Sequence, residues 1–127
     1  MEKIPYVIIL VTTSSKEEAE KIGETIVKEK LAASANIIPS IRSFFFWKTK
    51  FYDINEALVI FNTRAELWER VKTRITALHS YELPEIIALP IIAGSDKFFN
   101  WIEENTLSPS SVSFIPRDKK ETGEDRG

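Results

Sequence analysis

Twice in this chain a β-branched apolar run turns abruptly into a helical pattern. That double switch limits the folds open to it more than any other feature. The first switch is YVIILVTTSSKEEAEKIGETIV, beginning at Tyr6, and the second is EALVIFNTRAELWERVKTRITALH, beginning at Glu56. YVIILVTT, residues 6–13, lacks clear polar alternation, as expected of a central strand covered on at least one face. Ser15 and Glu18 stand at capping-box spacing. Ala19, Ile22, Ile26 and Leu31 then recur at three-, four- and five-residue steps, predicting an amphipathic helix whose Lys and Glu residues form a solvated face. In the second switch Thr63 and Glu66 repeat the capping-box spacing. Leu67, Val71, Ile75 and Leu78 follow as a stripe that predicts a helix over 64–79, with His79 at its C-terminal end.

Between the two helices, SANIIPSIRSFFFWKTKFYDINEALVIFNT reads as two long strands joined by a turn at KTK, residues 48–50. Period-two alternation puts Ile41, Ser43, Phe45 and Trp47 on one face and Arg42, Phe44 and Phe46 on the other. Pro39 cannot donate to a ladder and marks a bulge or an edge. EIIALPII supplies a fourth strand. Ser95 to Thr106 is expected to form a third helix with Phe98, Trp101 and Ile102 facing inward. The order strand–helix–strand, strand–helix–strand gives an α+β, ferredoxin-like βαββαβ sandwich with an additional C-terminal helix. Its length of 127 residues suits one domain, read as residues 1–107. Residues 108–127 form a polar tail whose last ten or so residues are expected to be disordered, with VSFIP able to dock as an extended segment. The two crossover helices share one sheet face, so the other, aromatic at Phe44 to Trp47, is expected to be covered by self-association.

Composition narrows the function classes. A formal net charge of −2 is unlike that of a general nucleic-acid binder. Only Arg42, Lys48 and Lys50 accompany the aromatic run, too few for it to read as a stacking platform. The absence of cysteine rules out a disulfide framework and a thiolate metal site. The apolar stretch near the N-terminus is short for an export signal and too short to span a bilayer, so the expected location is intracellular and soluble. There is no Gly-rich phosphate loop, nucleophile elbow or metalloprotease motif. Two candidates stand out. The first is the single histidine, His79, in LHSYELPEIIALP, with Glu82 and Glu85 three and six residues on. Imidazole suits copper and zinc, but a histidine ending a helix and packing against Tyr81 explains the same pattern. The second, Trp47, Glu56, Tyr81 and Glu85, is grouped by no spacing of its own but by the family resemblance that the next stretches carry; aromatic rings beside carboxylates would suit a small-ligand cleft, and the alternative is interface packing with a glutamate paired to Lys50 or Arg64.

Four stretches in order, EKLAASANIIP, FFFWKTK, EALVIFNTR and LHSYELPEIIALPI, resemble the CutA family of divalent-ion tolerance proteins, over residues 6–104 or so. The resemblance implies a ferredoxin-like subunit assembled as a homotrimer, placed in the cytoplasm or an organelle. It also implies copper(II) binding and a non-enzymatic role in metal tolerance, with His79 as the metal-linked residue and Trp47, Glu56, Tyr81 and Glu85 lining a pocket. Several positions depart from the family pattern: Val11 and Ser34 replace cysteines, Leu78 a second histidine, Thr49 the turn glycine, Asn62 a pocket lysine and Ser80 a proline. The reading that follows is a weak site for copper(II) or another divalent cation, with poor affinity for monovalent copper. It further expects little loss of stability when the His79 ring is removed, and Thr49 speaks against a tight turn. Two alternatives are a small-ligand signalling module resembling the PII proteins and a structural trimeric scaffold. No nucleic-acid or membrane partner is expected.

Overall fold

A computed structural model describes residues 4–108. The run at Tyr6 becomes strand β1 (Tyr6–Thr13), followed by helix α1 (Lys16–Lys28). Strands β2 (Ser34–Trp47) and β3 (Lys50–Arg64) form a long hairpin. A 3-10 turn (Ala65–Leu67) leads into helix α2 (Trp68–Leu78), and strand β4 (Ile86–Pro90) and helix α3 (Asp96–Glu104) complete the chain. The sheet order is β2-β3-β1-β4 and every pairing is antiparallel. This is the interleaved arrangement expected of two split βαβ units. The expectations for the tail, including VSFIP, fall outside the described residues except at Ser108.

One face of the inner strands makes the core. Val7, Ile9 and Val11 of β1 and Ala57, Val59 and Phe61 of β3 alternate inward, and all are buried. Ala19, Ile22 and Ile26 of α1 and Leu67, Val71 and Ile75 at and within α2 close over them. Each fully buried Ile or Val there contributes about 1.5–3 kcal/mol of transfer free energy. Gly23 permits α1 to lie this close. A Cβ at that position would stand 3.3 Å from Ala35 Cβ of β2, which offsets the usual cost of glycine within a helix.

The first helix starts as its spacing predicts, with Ser15 Oγ accepting the Glu18 N–H at 3.1 Å. The helix stops before Leu31, which therefore does not extend its stripe. Lys30 adopts a left-handed φ of 65°. Leu31 N–H donates to Ile26 O, and Lys30 N–H to Val27 O, a Schellman close. This turn folds Leu31 back into the core, so it is buried by the cap rather than by helical phase.

Three other expectations need correction. Thr63 is not a helix cap. It lies within β3, buried, and its hydroxyl donates to Leu31 O at 2.6 Å, while the following helix has no side-chain cap bond. The period-two inward placement of a strand residue wins over the cap spacing. The KTK turn is tight, with Trp47 paired to Lys50 and both Lys48 (φ 52°) and Thr49 (φ 70°) left-handed. Two positive φ values at a two-residue loop are the geometry whose twist matches the strands it joins, and the long hairpin imposes it despite Thr49's branched Cβ. In α3, Ile102 is buried, but Phe98 and Trp101 are each 40% exposed and stack on one another. Phe99 packs inward instead, its ring 4.4 Å from that of Tyr6. Pro39 sits in edge strand β2, where the register shifts between Ile38 and Ile41.

Candidate functional site

The hairpin and the segment after α2 meet at one end of the sheet. Register opposes Glu56 of β3 to Ile41 of β2, and the Glu56 carboxylate is carried into the fold, 6% exposed. On the other side the chain leaves α2 at His79, whose ψ of 144° turns it out of the helix. Residues 79–85 then cross the end of the sheet without regular structure before β4 begins.

His79 fixes that crossing. Its side chain is fully buried. Nε2 lies 2.7 Å from Thr12 O, and Nδ1 lies 3.1 Å from the backbone nitrogen of Tyr81. A carbonyl can only accept and a backbone N–H can only donate, so Nε2 carries the proton and Nδ1 supplies the lone pair. Thr12 lies one residue beyond Val11, the last β1 residue paired with β4. The imidazole thus covers a carbonyl at the point where the sheet loses its neighbour. The next residue is held from α1: Glu18 accepts the Ser80 N–H at 2.7 Å and the Ser80 hydroxyl at 3.1 Å, and also the Ser14 N–H. Burial opposes ionisation of Glu18, but the bonds from Ser14 and Ser80 outweigh it and hold its carboxyl below the usual glutamate range.

With its backbone anchored, Tyr81 aims its phenol at Glu56, donating to Oε2 at 2.6 Å. Burial, followed by the neighbouring Glu56 carboxylate, pushes the phenol's pKa far above the ordinary tyrosine range. Tyr81 therefore acts as a protonated donor rather than as a base. Above this pair opens a cavity of about 550 Å³, within the size range of small-ligand sites. Trp47, Glu56, Tyr81 and Glu85 all line it, so the structure brings these four together in one place. His79 is not among the lining residues; it stands behind Tyr81.

Sequence reasoning missed several contributors. Phe45 and Tyr52 also line the cavity, and their rings stack at 5.2 Å because the hairpin register pairs them. That pairing follows once the turn is known to be Lys48–Thr49. Glu82 lines the cavity too, tied to Lys48 at 3.3 Å. Glu18 carried only the signal of a helix cap. Within the single chain neither Glu56 nor Glu85 pairs with Lys50 or Arg64: Lys50 Nζ sits over the Tyr52 ring, and Arg64 bonds Thr106 and the Glu103 carbonyl and lies 3.9 Å from Glu66. Among the described residues no cationic side chain pairs with Glu56. Asn62 lies elsewhere on β3, where its amide donates to Ser34 Oγ at 3.1 Å, and it does not line the cavity.

The donor set sets terms for a metal ion. Both nitrogens of His79 are occupied, so a metal at Nδ1 would have to displace the Tyr81 N–H. Val11 is buried, and Ser34 offers a hydroxyl already accepting from Asn62. No group of three or more His, Cys, Asp or Glu side chains converges to hold a metal among the described residues. The imidazole as placed does not fit a ligand role, and the oxygen-bearing side chains that line the cavity include Glu56, Glu82, Glu85, Ser43 and the phenols of Tyr52 and Tyr81.

Known proteins share this frame. The chain is 43% identical over 96 residues to the divalent-cation tolerance protein CutA of Archaeoglobus fulgidus, covering 76% of this chain and 93% of that protein. It is 41% identical over 103 residues to the chloroplastic protein CutA of Arabidopsis thaliana, covering 81% of this chain but only 57% of that protein's length. Among solved structures, the divalent cation tolerance protein of Thermus thermophilus superposes with a TM-score of 0.77 at 37% identity, over 80% of this chain and 98% of that one. The Oryza sativa CutA1 crystal structure gives 0.79 at 36% identity, over 82% and 95%. The family model for the CutA1 divalent ion tolerance protein matches residues 7–105, from the inner strand through the end of α3. Sequence, strand order and solved relatives therefore agree over the same span, and the chain belongs to the CutA1 divalent ion tolerance family.

Proposed function

We propose that this chain works as a homotrimer that binds a divalent cation weakly and without chemical turnover, and that the cation is drawn to the cavity over Glu56. The observation that carries the reading is a carboxylate 6% exposed, bonded to a phenol and facing a cavity, with no cationic partner among the described residues. A buried negative charge that lacks a counter-charge is costly, and a bound cation relieves that cost. Relatives named for divalent-cation tolerance support the same class of ligand. Copper(II) binding is expected to be weak, since the imidazole is engaged and thiols are absent. The protonated Tyr81 supports binding rather than catalysis.

Assembly is supported by Phe44, Phe46 and Phe51, which lie 62%, 73% and 55% exposed and touch one another across the hairpin. An apolar patch of this kind is usually covered. We place the protein in the cytoplasm or an organelle, with no nucleic-acid or membrane partner. No described helix is long and apolar enough to cross a membrane, and the three glutamates lining the cavity repel phosphate. The same charge disfavours a nucleotide ligand of the PII kind.

Two measurements test the reading. Light scattering in dilute buffer is expected to report three times the 14.6 kDa chain mass, and Phe46→Asp is expected to yield folded monomer. Calorimetric titration with copper(II), zinc and magnesium, on wild type and Glu56→Gln, is expected to show weak binding that the substitution abolishes. A monomeric wild type, or cation binding indifferent to Glu56→Gln, defeats the corresponding half.

A further inference from the structure

We infer that the cavity over Glu56, which offers a divalent metal ion only a weak site, also takes an organic ammonium ion, a small quaternary amine, and holds it more tightly. This rests on the reading of Glu56 as the anchor for a cation and adds a second, better-fitting class of cation at the same carboxylate. Of the six aromatic residues that line the cavity, Phe45, Trp47 and Tyr52 share the strand face of Glu56, and Tyr81 bonds its carboxylate. A divalent metal requires several oxygen donors at short, fixed distances, six or more for calcium and a near-octahedral shell for magnesium. The described residues gather no group of three metal-capable side chains, and a hard, strongly hydrated ion gains little from aromatic walls. An alkylammonium ion has the opposite needs. When fully alkylated it is weakly hydrated, one carboxylate satisfies it, and it is attracted to the faces of Trp and Tyr rings.

The protein already displays this chemistry with its own lysines. Lys48 Nζ lies over the Trp47 ring, 5.4 Å from its centroid, and Lys50 Nζ lies over Tyr52 at 5.3 Å. Two of the rings that line the cavity are therefore in cation–π range of ammonium groups. The floor is prepared as well. Tyr81 holds Glu56 through Oε2, which fixes the carboxylate and leaves Oε1 for an incoming cation. Glu85 adds a second negative charge to the lining, while Glu82 is partly offset by Lys48. The cavity's volume of about 550 Å³ suits a small organic ion and is far larger than a single metal ion needs.

The test is calorimetric titration of the full chain with tetramethylammonium chloride at constant ionic strength, beside its uncharged counterpart of similar size, tert-butanol, and beside magnesium and copper(II). Tetramethylammonium is expected to bind saturably, once per chain, and tert-butanol not at all. Glu56→Gln keeps the shape and still accepts the Tyr81 hydrogen bond, so the fold is retained. It is expected to weaken tetramethylammonium binding at least about tenfold, equivalent to about 1.4 kcal/mol. Trp47→Leu is expected to weaken it as well, with circular dichroism unchanged. Metal binding that depends on Glu56, without tetramethylammonium binding, overturns the ammonium class while sparing the cation site. No Glu56-dependent binding of any cation overturns both. Equal affinity for tert-butanol, or tetramethylammonium binding unaffected by Glu56→Gln, overturns the ammonium proposal by showing that charge plays no part.

Discussion

Removing the ring of His79 is the perturbation that best separates a structural histidine from a metal ligand. The expectation from sequence, that the metal-free protein would hardly notice, does not survive the geometry. The side chain is fully buried and makes two hydrogen bonds. In His79→Ala the Thr12 carbonyl loses its imidazole donor, and the Tyr81 N–H loses its acceptor. Each net hydrogen bond contributes about 1 kcal/mol, and a buried group left without a partner costs about 1–3 kcal/mol. The emptied space adds a further penalty. Thr12 is 8% exposed and carries the larger share, whereas Tyr81 is half-buried and its N–H regains some water. The total is about 2–4 kcal/mol, or about 8–16 °C in melting temperature for a domain near 100 residues. The assay is urea denaturation and a thermal melt at fixed protein concentration, in the presence of chelator. A loss below about 1 kcal/mol would refute the hydrogen-bond argument, taking that figure as a single net bond. A second arm adds copper(II). A ligand raises stability by binding the native state, so a metal at His79 would stabilise wild type and not the variant. Equal, small responses in both are expected.

Other consequences can be read directly from particular groups. Thr49→Gly relieves a branched side chain at φ 70° and is expected to raise stability by about 0.5–1 kcal/mol, the left-handed penalty less the greater unfolded-state freedom of glycine; a lower urea midpoint would contradict this. Glu18 has a folded pKa below its unfolded value, so its contribution is complete above the unfolded pKa and fades as pH falls through the folded one. Urea midpoints measured from pH 6 down to pH 3 are therefore expected to fall more steeply in wild type than in Glu18→Gln, and parallel curves would refute the claim. Tyr81 has a raised folded pKa, so its share of stability is held below the ordinary tyrosine pKa and lost only as pH climbs through the elevated one. Ultraviolet titration is expected to show that Tyr81→Phe removes a phenol that does not ionise near pH 10.

Much of the fold was legible because one signal dominated locally. The β-branched run at Tyr6 and the Leu67, Val71, Ile75 stripe had no competing pattern, and both occupy the elements that they predict. Errors arose where two signals met. Thr63 has cap spacing to Glu66, but it also has strand parity with the buried Phe61, and parity prevailed. Phe98 and Phe99 are adjacent, and spacing alone could not say that the ring stacking on Tyr6 belongs to Phe99. Thr49 has a poor residue type for its φ, yet strands of 14 and 15 residues on either side fix the register more strongly than one residue resists it. Of the site, Trp47, Glu56, Tyr81 and Glu85 could be chosen by residue type and by resemblance. The bonds from Glu18 to Ser80 and from Thr12 to His79 span 62 and 67 positions and left no trace in spacing.

Those long-range bonds explain how an irregular segment can form one wall of a binding cavity. Residues 79–85 have no ladder or helix of their own, and a free loop would place Tyr81 loosely. Here each end of the problem is closed from a rigid element. β1 holds the imidazole through Thr12, the imidazole holds the Tyr81 backbone, α1 holds Ser80 through Glu18, and β3 supplies Glu56 to receive the phenol. Ordering a loop residue costs about 1–2 kcal/mol of backbone entropy, and three short hydrogen bonds plus a buried ring are of the size needed to offset it for Ser80 and Tyr81. A single histidine therefore suffices without touching a ligand. It transmits the position of the central strand to the phenol, and the phenol fixes Glu56, the most deeply buried of the three carboxylates that line the cavity.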